Sequence, residues 1–490
     1  VGLNIIGLGV PLLVAVFTIP VLVRSLGTDR FGVLALAWMV IGYFNLFDLG
    51  LGRAVTQLVS EKLGAGKEQE LPSLVWTALL LMLAMGVVGT LVSSLLSPWL
   101  VYDVLKIPQE LRSETLKSFY LLALSLPLVV STLGLRGILE AHQRFGMVNA
   151  VRIPMGIFTF LGPLMVLPFS QSLFLVVAVL VVGRLIAWFA HFLLCLYVMP
   201  ALRQGISVQR QAVKPLLCLG GWMMVSNTVN PLLVYLDRFF IGALISVTAV
   251  SYYAIPYEVV TKLWIVCAAI VAVLFPAFST SFTRDRDHTA LLFSRAVKYT
   301  FLALFPLVLL MITFAYEGLY FWMGGEFSQN SSRVLQWLAV GVLLSSLTSI
   351  PFALVQGVGR PDLTAKVHLI ELPFYLLGIW WLVRAFGIEG AAMAWTLRHV
   401  VDSLILFGIA QRLSPSGFPA IRRAAIIMGI SSLLFAIAVI PTTVVTKGIF
   451  LVLTLLFFIF ATWFYILVPE EQALLRKFLK GASATGESKA

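Results

Sequence analysis

Charged residues are scarce in this chain. Of its 490 residues, only 11% are charged and 60% are apolar, whereas about 25% of a typical soluble domain is charged. A soluble domain of this length would need a far larger polar surface. The composition therefore excludes a soluble protein and predicts an all-α protein that crosses a membrane many times.

Cysteines and catalytic motifs are equally scarce. The three cysteines all lie in apolar runs, so no disulfide or metal framework is predicted. The chain has no Gly-rich loop ending in GKS or GKT, no CxxC and no HExxH. No outer loop is long enough for the active site of a membrane sugar polymerase or ligase. We therefore expect neither an enzyme nor an ATP-driven pump, and no cofactor or metal.

The charges that are present are unbalanced, with a formal net charge of +12. The basic residues are scattered and form no strip interleaved with aromatics, so we expect no nucleic-acid partner. No cleavable signal peptide is visible. Because the chain opens on Val1 rather than Met, we expect a short N-terminal segment to precede it.

Runs of about 20 apolar residues predict membrane spans. We count fourteen of them, joined by loops too short to fold as a separate soluble domain. The runs lie near 2–23, 31–60, 72–100, 117–141, 147–169, 172–199, 215–245, 250–282, 297–316, 334–357, 363–383, 388–412, 422–440 and 448–468.

The distribution of Lys and Arg predicts the orientation of these spans. With Val1 placed inside, 20 of the 34 Lys and Arg residues fall in inside segments, and six are embedded in spans. The remaining eight lie in outside segments: Arg24, Arg30, Lys106, Arg112, Lys117, Arg333, Arg384 and Lys447. This bias predicts that both termini are cytoplasmic.

The chain also repeats itself at an offset of about 216–220 residues. The hairpin sequence from Leu26 to Gly32 corresponds to Ile245–Ser251, and Pro11 corresponds to Pro231. Six helices per unit is an even number, so the units insert with the same orientation around an axis along the membrane normal. We predict five segments: a six-helix lobe over 1–199, a linker over 200–214, a second lobe over 215–413, two added helices over 414–468, and a cytoplasmic tail over 469–490.

Six acids and six bases are embedded in the predicted spans, where each ionisable side chain is costly and suggests a function. Four pairs need no function, because neighbouring opposite charges lower the cost of insertion. They are Arg136 with Glu140, Glu258 with Lys262, Arg398 with Asp402, and the adjacent Asp237 and Arg238, which we expect near the outer interface.

Four further embedded residues have no such explanation. In the stretch from Phe44 to Ser60, Asp48 and Arg53 accompany small residues that let something approach the helix backbone. Arg184 lies near the middle of the sixth span with no acid within four residues, so we expect it to meet a carboxylate of another helix or water. Glu371 is its counterpart in the second lobe, and a direct Arg184–Glu371 bridge is one hypothesis.

The sequence from Arg24 to Gly32, the motif Asp48-Leu-Gly-Leu-Gly-Arg53 and the turn Gln356-Gly-Val-Gly-Arg360 carry a family resemblance. The chain resembles the multidrug/oligosaccharidyl-lipid/polysaccharide exporter superfamily, in its polysaccharide-transporter and O-antigen flippase branch. The resemblance implies a flippase of the bacterial cytoplasmic membrane for undecaprenyl-pyrophosphate-linked oligosaccharide, coupled to an ion gradient of H⁺ or Na⁺. It also implies membrane lipid and polysaccharide assembly proteins as partners.

A diphosphate head group needs fixed positive charge, which arginine supplies through bidentate hydrogen bonds. Our candidates for the substrate cavity are Arg53, Arg184, Lys262, Arg398, Asn227 and Asn230. A coupling ion needs a carboxylate whose protonation differs between states, and the candidates are Asp48, Glu258, Glu371 and Asp402. Two alternatives stay open: a drug/cation antiporter of the same superfamily, disfavoured because the first helix carries no acid, and an envelope-assembly scaffold without transport.

Overall fold

The protein was examined as a computed structural model of the whole chain. It describes residues 2–43, 51–64, 66–209, 211, 213, 236–358, 360–413, 429–467 and 469–473. Within these helices the side chains of some residues are not described, among them those of 2–13, 39–43 and Arg53. All regular structure of the described residues is helical, as the composition predicted.

Before residue 200, the described residues form eight α-helices, built from long apolar stretches. They are α1 Gly2–Leu26, α2 Thr28–Tyr43, α3 Leu51–Gly64, α4 Leu71–Trp99, α5 Gln109–Leu124, α6 Leu126–Ala141, α7 Phe145–Val166 and α8 Leu173–Val198. Helix α4 packs on α6, α1 on α7, and both α3 and α8 on α6. Helices α5 and α6 meet at Ser125 and together form one membrane-length segment.

The rest of the chain folds into a second group of helices. They are α9 (236–244), α10 Val247–Thr261, α11 Trp264–Arg284, α12 Arg286–Thr313, α13 Ala315–Met323, α14 Gly325–Gly357, α15 Pro361–Leu413, α16 Gly429–Ala438 and α17 Val444–Ala461. Helix α14 lies at the centre of this group, because α10, α11, α12, α13 and α15 all pack against it.

Nine helical segments of the described residues are long and apolar enough to cross a membrane. One of them holds both predicted spans of α15, which reverses direction at Gly387 through a backbone conformation with φ 62° and ψ −138°. A positive φ favours glycine, which has no Cβ to clash. Parts of the predicted spans 31–60, 215–245 and 422–440 lie outside the described residues, so the total of fourteen stays a prediction.

The two groups of helices meet where α2 and α10 begin. The side chain of Thr248 donates to the carboxylate of Asp29, and the Ser251 hydroxyl donates to the carbonyl of Thr28 at 2.7 Å. A Cβ added to Gly32 would lie 1.9 Å from the Val247 carbonyl oxygen. The small residue therefore allows the backbones to approach, as small residues do between membrane helices.

Three more hydrogen bonds join the groups. The backbone N–H of Lys106 donates to Gly242 at 3.0 Å, and its ammonium donates to the carbonyl of Leu244. The indole of Trp322 donates to the carbonyl of Val16 at 2.6 Å. At the opposite end, the described residues of 200–209 bind only the first group, where Gln209 donates from its backbone to Thr77 at 2.9 Å.

Helix α17 is attached to the second group at both of its ends. Lys447 forms an ion pair with Glu317 at 2.8 Å, and Lys298 of α12 forms one with Glu471 at 2.6 Å. Between these ends, Phe458 stacks on Phe305 of α12. The last described helices therefore pack with the second group, although the sequence places them outside the repeat.

Candidate functional site

A break in the eighth predicted span exposes a lysine part-way through it. Helix α10 ends at Thr261 and α11 begins at Trp264, so Lys262 and Leu263 form a turn. The side chain of Lys262 is 40% exposed. Broken helices in transporters place polar backbone and side chains where they line a cavity.

Glu258 binds two cations beside this break. One carboxylate oxygen accepts from the Lys262 ammonium at 3.1 Å, which confirms the predicted pair, and the other accepts from Arg238 of α9 at 3.1 Å. The Arg238 guanidinium also lies 4.7 Å from the centre of the Tyr257 ring. Both oxygens of Glu258 are therefore engaged by positive charge.

The position of Asp237 and Arg238 relative to the outer interface stays a prediction, but the structure shows their surroundings. Both are buried, and Arg238 pairs with Glu258 of the next helix rather than with the Asp237 carboxylate. Asp237 accepts from the hydroxyl of Tyr253 and from the backbone N–H of Arg238. The pair is part of a network between α9 and α10, which spacing along one helix does not reveal.

A second cluster lies between the two halves of α15, on either side of Gly387. The first half carries His368 and Glu371, and the second half carries Arg398 and Asp402. Arg398 Nε lies 3.8 Å from Glu371 Oε2, and His368 Nε2 lies 3.9 Å from Asp402 Oδ1. Both members of the expected Arg398–Asp402 pair therefore also contact the first half of α15.

The cluster is closed off from the surroundings on most sides. Glu371, Arg398 and Asp402 are each less than one-tenth exposed. The ligand atoms of His368, Glu371 and Asp402 all lie within 4.8 Å of one another. A cavity of about 430 Å³ adjoins the cluster and is lined by Glu371, Tyr375, Arg398 and apolar side chains.

An aromatic residue that the sequence reading missed lies between the two clusters. Trp395 is fully buried and packs edge-on against Tyr257, with ring centres 5.7 Å apart, and against His399 at 4.4 Å. The only available signal was its spacing, one helical turn before His399 and three residues before Arg398.

In the first group of helices, the residue of interest is Arg184 of α8. Its Nη1 atom is buried, and no hydrogen-bond acceptor of the described residues reaches it. One turn on, Trp188 donates to Ser131 of α6 at 2.7 Å, and His191 bonds to the carbonyl of Ala187 at 2.8 Å. The hypothesis of an Arg184–Glu371 bridge was wrong, because Glu371 lies beside Arg398.

Of the remaining predicted residues, some are described by the structure and others lie outside the described ranges. Arg136 and Glu140 pair at 2.6 Å, as their spacing predicted. Asp48, Asn227 and Asn230 lie outside the described residues, as does the side chain of Arg53. The backbone of the predicted groove is approached by α6, because a Cβ added to Gly137 would lie 2.8 Å from the Gly52 carbonyl.

These helices and buried charges define a multi-pass membrane transporter, and solved structures agree on the fold. The chain superposes with a TM-score of 0.72 on a multidrug resistance MATE family transporter of the MOP superfamily in an inward-facing conformation, at 15% identity, over 84% of this chain and 98% of that one. For an outward-facing conformation the TM-score is 0.58, at 14% identity over 84% and 96%.

Residues 2–282 match the family described as polysaccharide biosynthesis protein, and the chain belongs to that family. It is 29% identical to a Shigella flexneri protein named "Putative O-antigen transporter", over 84% of this chain and 96% of the relative. It is 24% identical to the "Probable low-salt glycan biosynthesis flippase" of Haloferax volcanii, over 38% and 39%.

Proposed function

We propose that the protein is a flippase that moves an undecaprenyl-pyrophosphate-linked oligosaccharide from the inner to the outer leaflet of the bacterial cytoplasmic membrane. Family membership and the names of the relatives support this substrate class. The observation that carries the proposal is the unpartnered, buried Nη1 atom of Arg184 in a membrane span. A cation held at this depth without a described carboxylate is suited to an anionic ligand.

Lys262 is the matching cation of the second lobe. It lies in the turn between α10 and α11, and its side chain is partly exposed although it also reaches Glu258. In this proposal Arg184 and Lys262 supply the positive charge that the head group needs. Arg398 is buried beside Glu371 and faces Tyr375, so we assign it to the carboxylate cluster and not to direct contact with substrate.

The contacts between the lobes support a mechanism of alternating access. With both termini in the cytoplasm, as the Lys and Arg bias predicts, the contacts of α2 with α10 lie at the outer end. The interlobe hydrogen bonds of Lys106 lie at that end as well. This arrangement corresponds to a state closed to the outside and open to the cytoplasm.

The repeat supports rocking about a central axis. Asp29 and Thr248 are 219 residues apart, the offset that relates the two hairpins, and they bond to each other. Equivalent residues of two related units meet only near the axis that relates them. The lobes would thus separate at this joint when the protein opens to the outside.

A drug/cation antiporter remains the second candidate, because the fold matches multidrug transporters. Its cation would have to compete with Arg184 and Lys262, both of which repel positive charge. Helix α1 also contains no acidic residue. These features favour an anionic substrate.

Complementation of a strain that lacks its O-antigen flippase tests the proposal. Wild-type protein should restore surface polysaccharide, and Arg184→Ala, Asp48→Ala and Glu371→Ala should each reduce it at equal membrane abundance. Arg333→Ala is the control, because that side chain is 73% exposed and pairs only weakly with Glu389. No rescue by wild type, together with measurable drug efflux, would favour the antiporter. Full activity of all three site variants would refute the assigned residues.

A further inference from the structure

In the membrane interior of the second lobe, the described acidic side chains outnumber the basic ones. Asp237 and Glu258 are matched by Arg238 and Lys262 in the network of α9 and α10. In the α15 cluster, two carboxylates, Glu371 and Asp402, face one guanidinium, that of Arg398. No other charged residue occurs between Lys214 and Asp237 in the sequence, so the residues outside the described ranges there add no cation to the membrane interior.

Three of the four oxygens of the two carboxylates also lack hydrogen-bond donors among the described residues. Both oxygens of Glu371 and the Oδ1 atom of Asp402 are buried, and no donor of the described residues reaches them. Leaving two ionised carboxylates in this state is unfavourable, since a buried anion needs a paired charge or several donors. One additional positive charge would neutralise the cluster.

From the geometry of this cluster we infer that Glu371 and Asp402 together hold one proton. The proton converts one carboxylate to a carboxylic acid, whose O–H can donate to the other carboxylate or to His368. Arg398 then balances the charge that remains. The role of this proton in the transport cycle rests on the proposed function, whereas its presence in the cluster does not.

A metal ion fits these residues less well than a proton does. Sodium and other hard cations prefer a shell of oxygen ligands, whereas one of the three atoms here belongs to the imidazole of His368. The Arg398 guanidinium lies beside Glu371 and would repel a metal ion bound there. A divalent ion would in addition leave an excess positive charge.

The groups that surround the pair come from several helices. On α15 itself they are His368, Tyr375, Arg398 and His399. Helix α14 contributes Thr348, which bonds to Ser403 next to Asp402. From α9, Asp237 interacts electrostatically with Arg398, and from α10, Tyr253 interacts with Tyr375.

Glu258 is thereby excluded from the same role. Both of its oxygens accept from cations at 3.1 Å, and that favours the ionised form over a bound proton. The four coupling candidates of the sequence therefore reduce to Glu371 and Asp402 among the described residues.

Infrared spectroscopy of the purified full-length protein tests this inference without any substrate. The C=O stretch of a protonated carboxylic acid should be present in the wild type near neutral pH, shift in D₂O and be unchanged when choline chloride is replaced by sodium chloride. Either Glu371→Gln or Asp402→Asn should remove this band, because the remaining carboxylate then pairs with Arg398. Glu258→Gln is the matched control and should leave the band in place.

Arg398→Gln gives an independent check, since removing the guanidinium beside Glu371 should protonate both carboxylates and strengthen the band. The inference is overturned if neither single substitution removes a band from folded protein, or if sodium abolishes the band. A band that behaves as expected in a protein that fails complementation would retain the proton site and refute the flippase. Successful complementation by a protein that lacks the band would retain the flippase and refute the proton site.

Discussion

The two lobes hold their buried charges in different ways. In the second lobe, ion pairs join α9 to α10 and the two halves of α15. In the first lobe, the described embedded pair Arg136–Glu140 lies within one helix and is partly exposed. Arg184 has a buried Nη1 atom without a described acceptor.

This difference suggests that the two lobes bind different ligands. In the network of α9 and α10 the charged side chains satisfy one another, which fixes the positions of the helices. In the α15 cluster, by contrast, two carboxylates share one guanidinium, which leaves room for a proton. A cation without a local partner is available to a ligand. We therefore associate the first lobe with the anionic head group and the second with the coupling proton.

The largest expected effect on stability comes from Arg238→Met. Removing one member of a buried ion pair destabilises a protein by about 3–5 kcal/mol, because the partner is left without its counter-charge. The variant should unfold at a clearly lower temperature than wild type in detergent. An unchanged unfolding temperature would contradict the interpretation of this network as structural.

Arg184→Met, unlike Arg238→Met, should reduce transport and leave stability unchanged. Loss of a charge-assisted contact with phosphate is expected to reduce transport by about 2–3 kcal/mol, or some 30- to 150-fold. Stability should not fall, since the replaced side chain is a buried cation with an unpartnered donor. Flipping rates and unfolding temperatures of the same preparations check both parts, and Arg184→Lys should recover part of the activity.

Gly32→Ala tests the joint between the lobes and should have an intermediate effect. The new Cβ would lie 1.9 Å from the Val247 carbonyl, so the helices must move apart at a cost of about 1–3 kcal/mol. We expect increased labelling of a cysteine placed at Ser251 by an impermeant thiol reagent added from outside. Gly146→Ala is the control, as nothing lies within 4 Å of its Cβ position.

Arg136→Gln should have the smallest effect on stability. The pair with Glu140 is an i,i+4 pair with side chains 42% and 28% exposed, and such pairs contribute about 0.3–0.5 kcal/mol. Its unfolding temperature should be close to that of wild type. A loss as large as that of Arg238→Met would remove the contrast between the lobes.

The sequence was sufficient for the helical membrane fold and for pairs that lie within one helix. Hydropathy marks spans, and i,i+4 spacing predicted the Arg136–Glu140 and Glu258–Lys262 pairs. The partners of Arg238 and Arg398 were not predictable, because spacing along one helix does not show which helices are neighbours. For the same reason the hypothesis of an Arg184–Glu371 bridge between the lobes was wrong. The reversal of α15 at Gly387 brings Glu371 to Arg398 instead.

The most direct test of the account is reconstitution of the purified protein in liposomes with two probes, a fluorescent polyprenyl-pyrophosphate oligosaccharide and a lipophilic cationic dye. We predict that the wild type moves the oligosaccharide lipid between leaflets, that Arg184→Ala does so far more slowly, and that neither transports the dye. Transport of the dye without movement of the lipid, or equal lipid transport by wild type and Arg184→Ala, would contradict the assignment of the first lobe to an anionic head group.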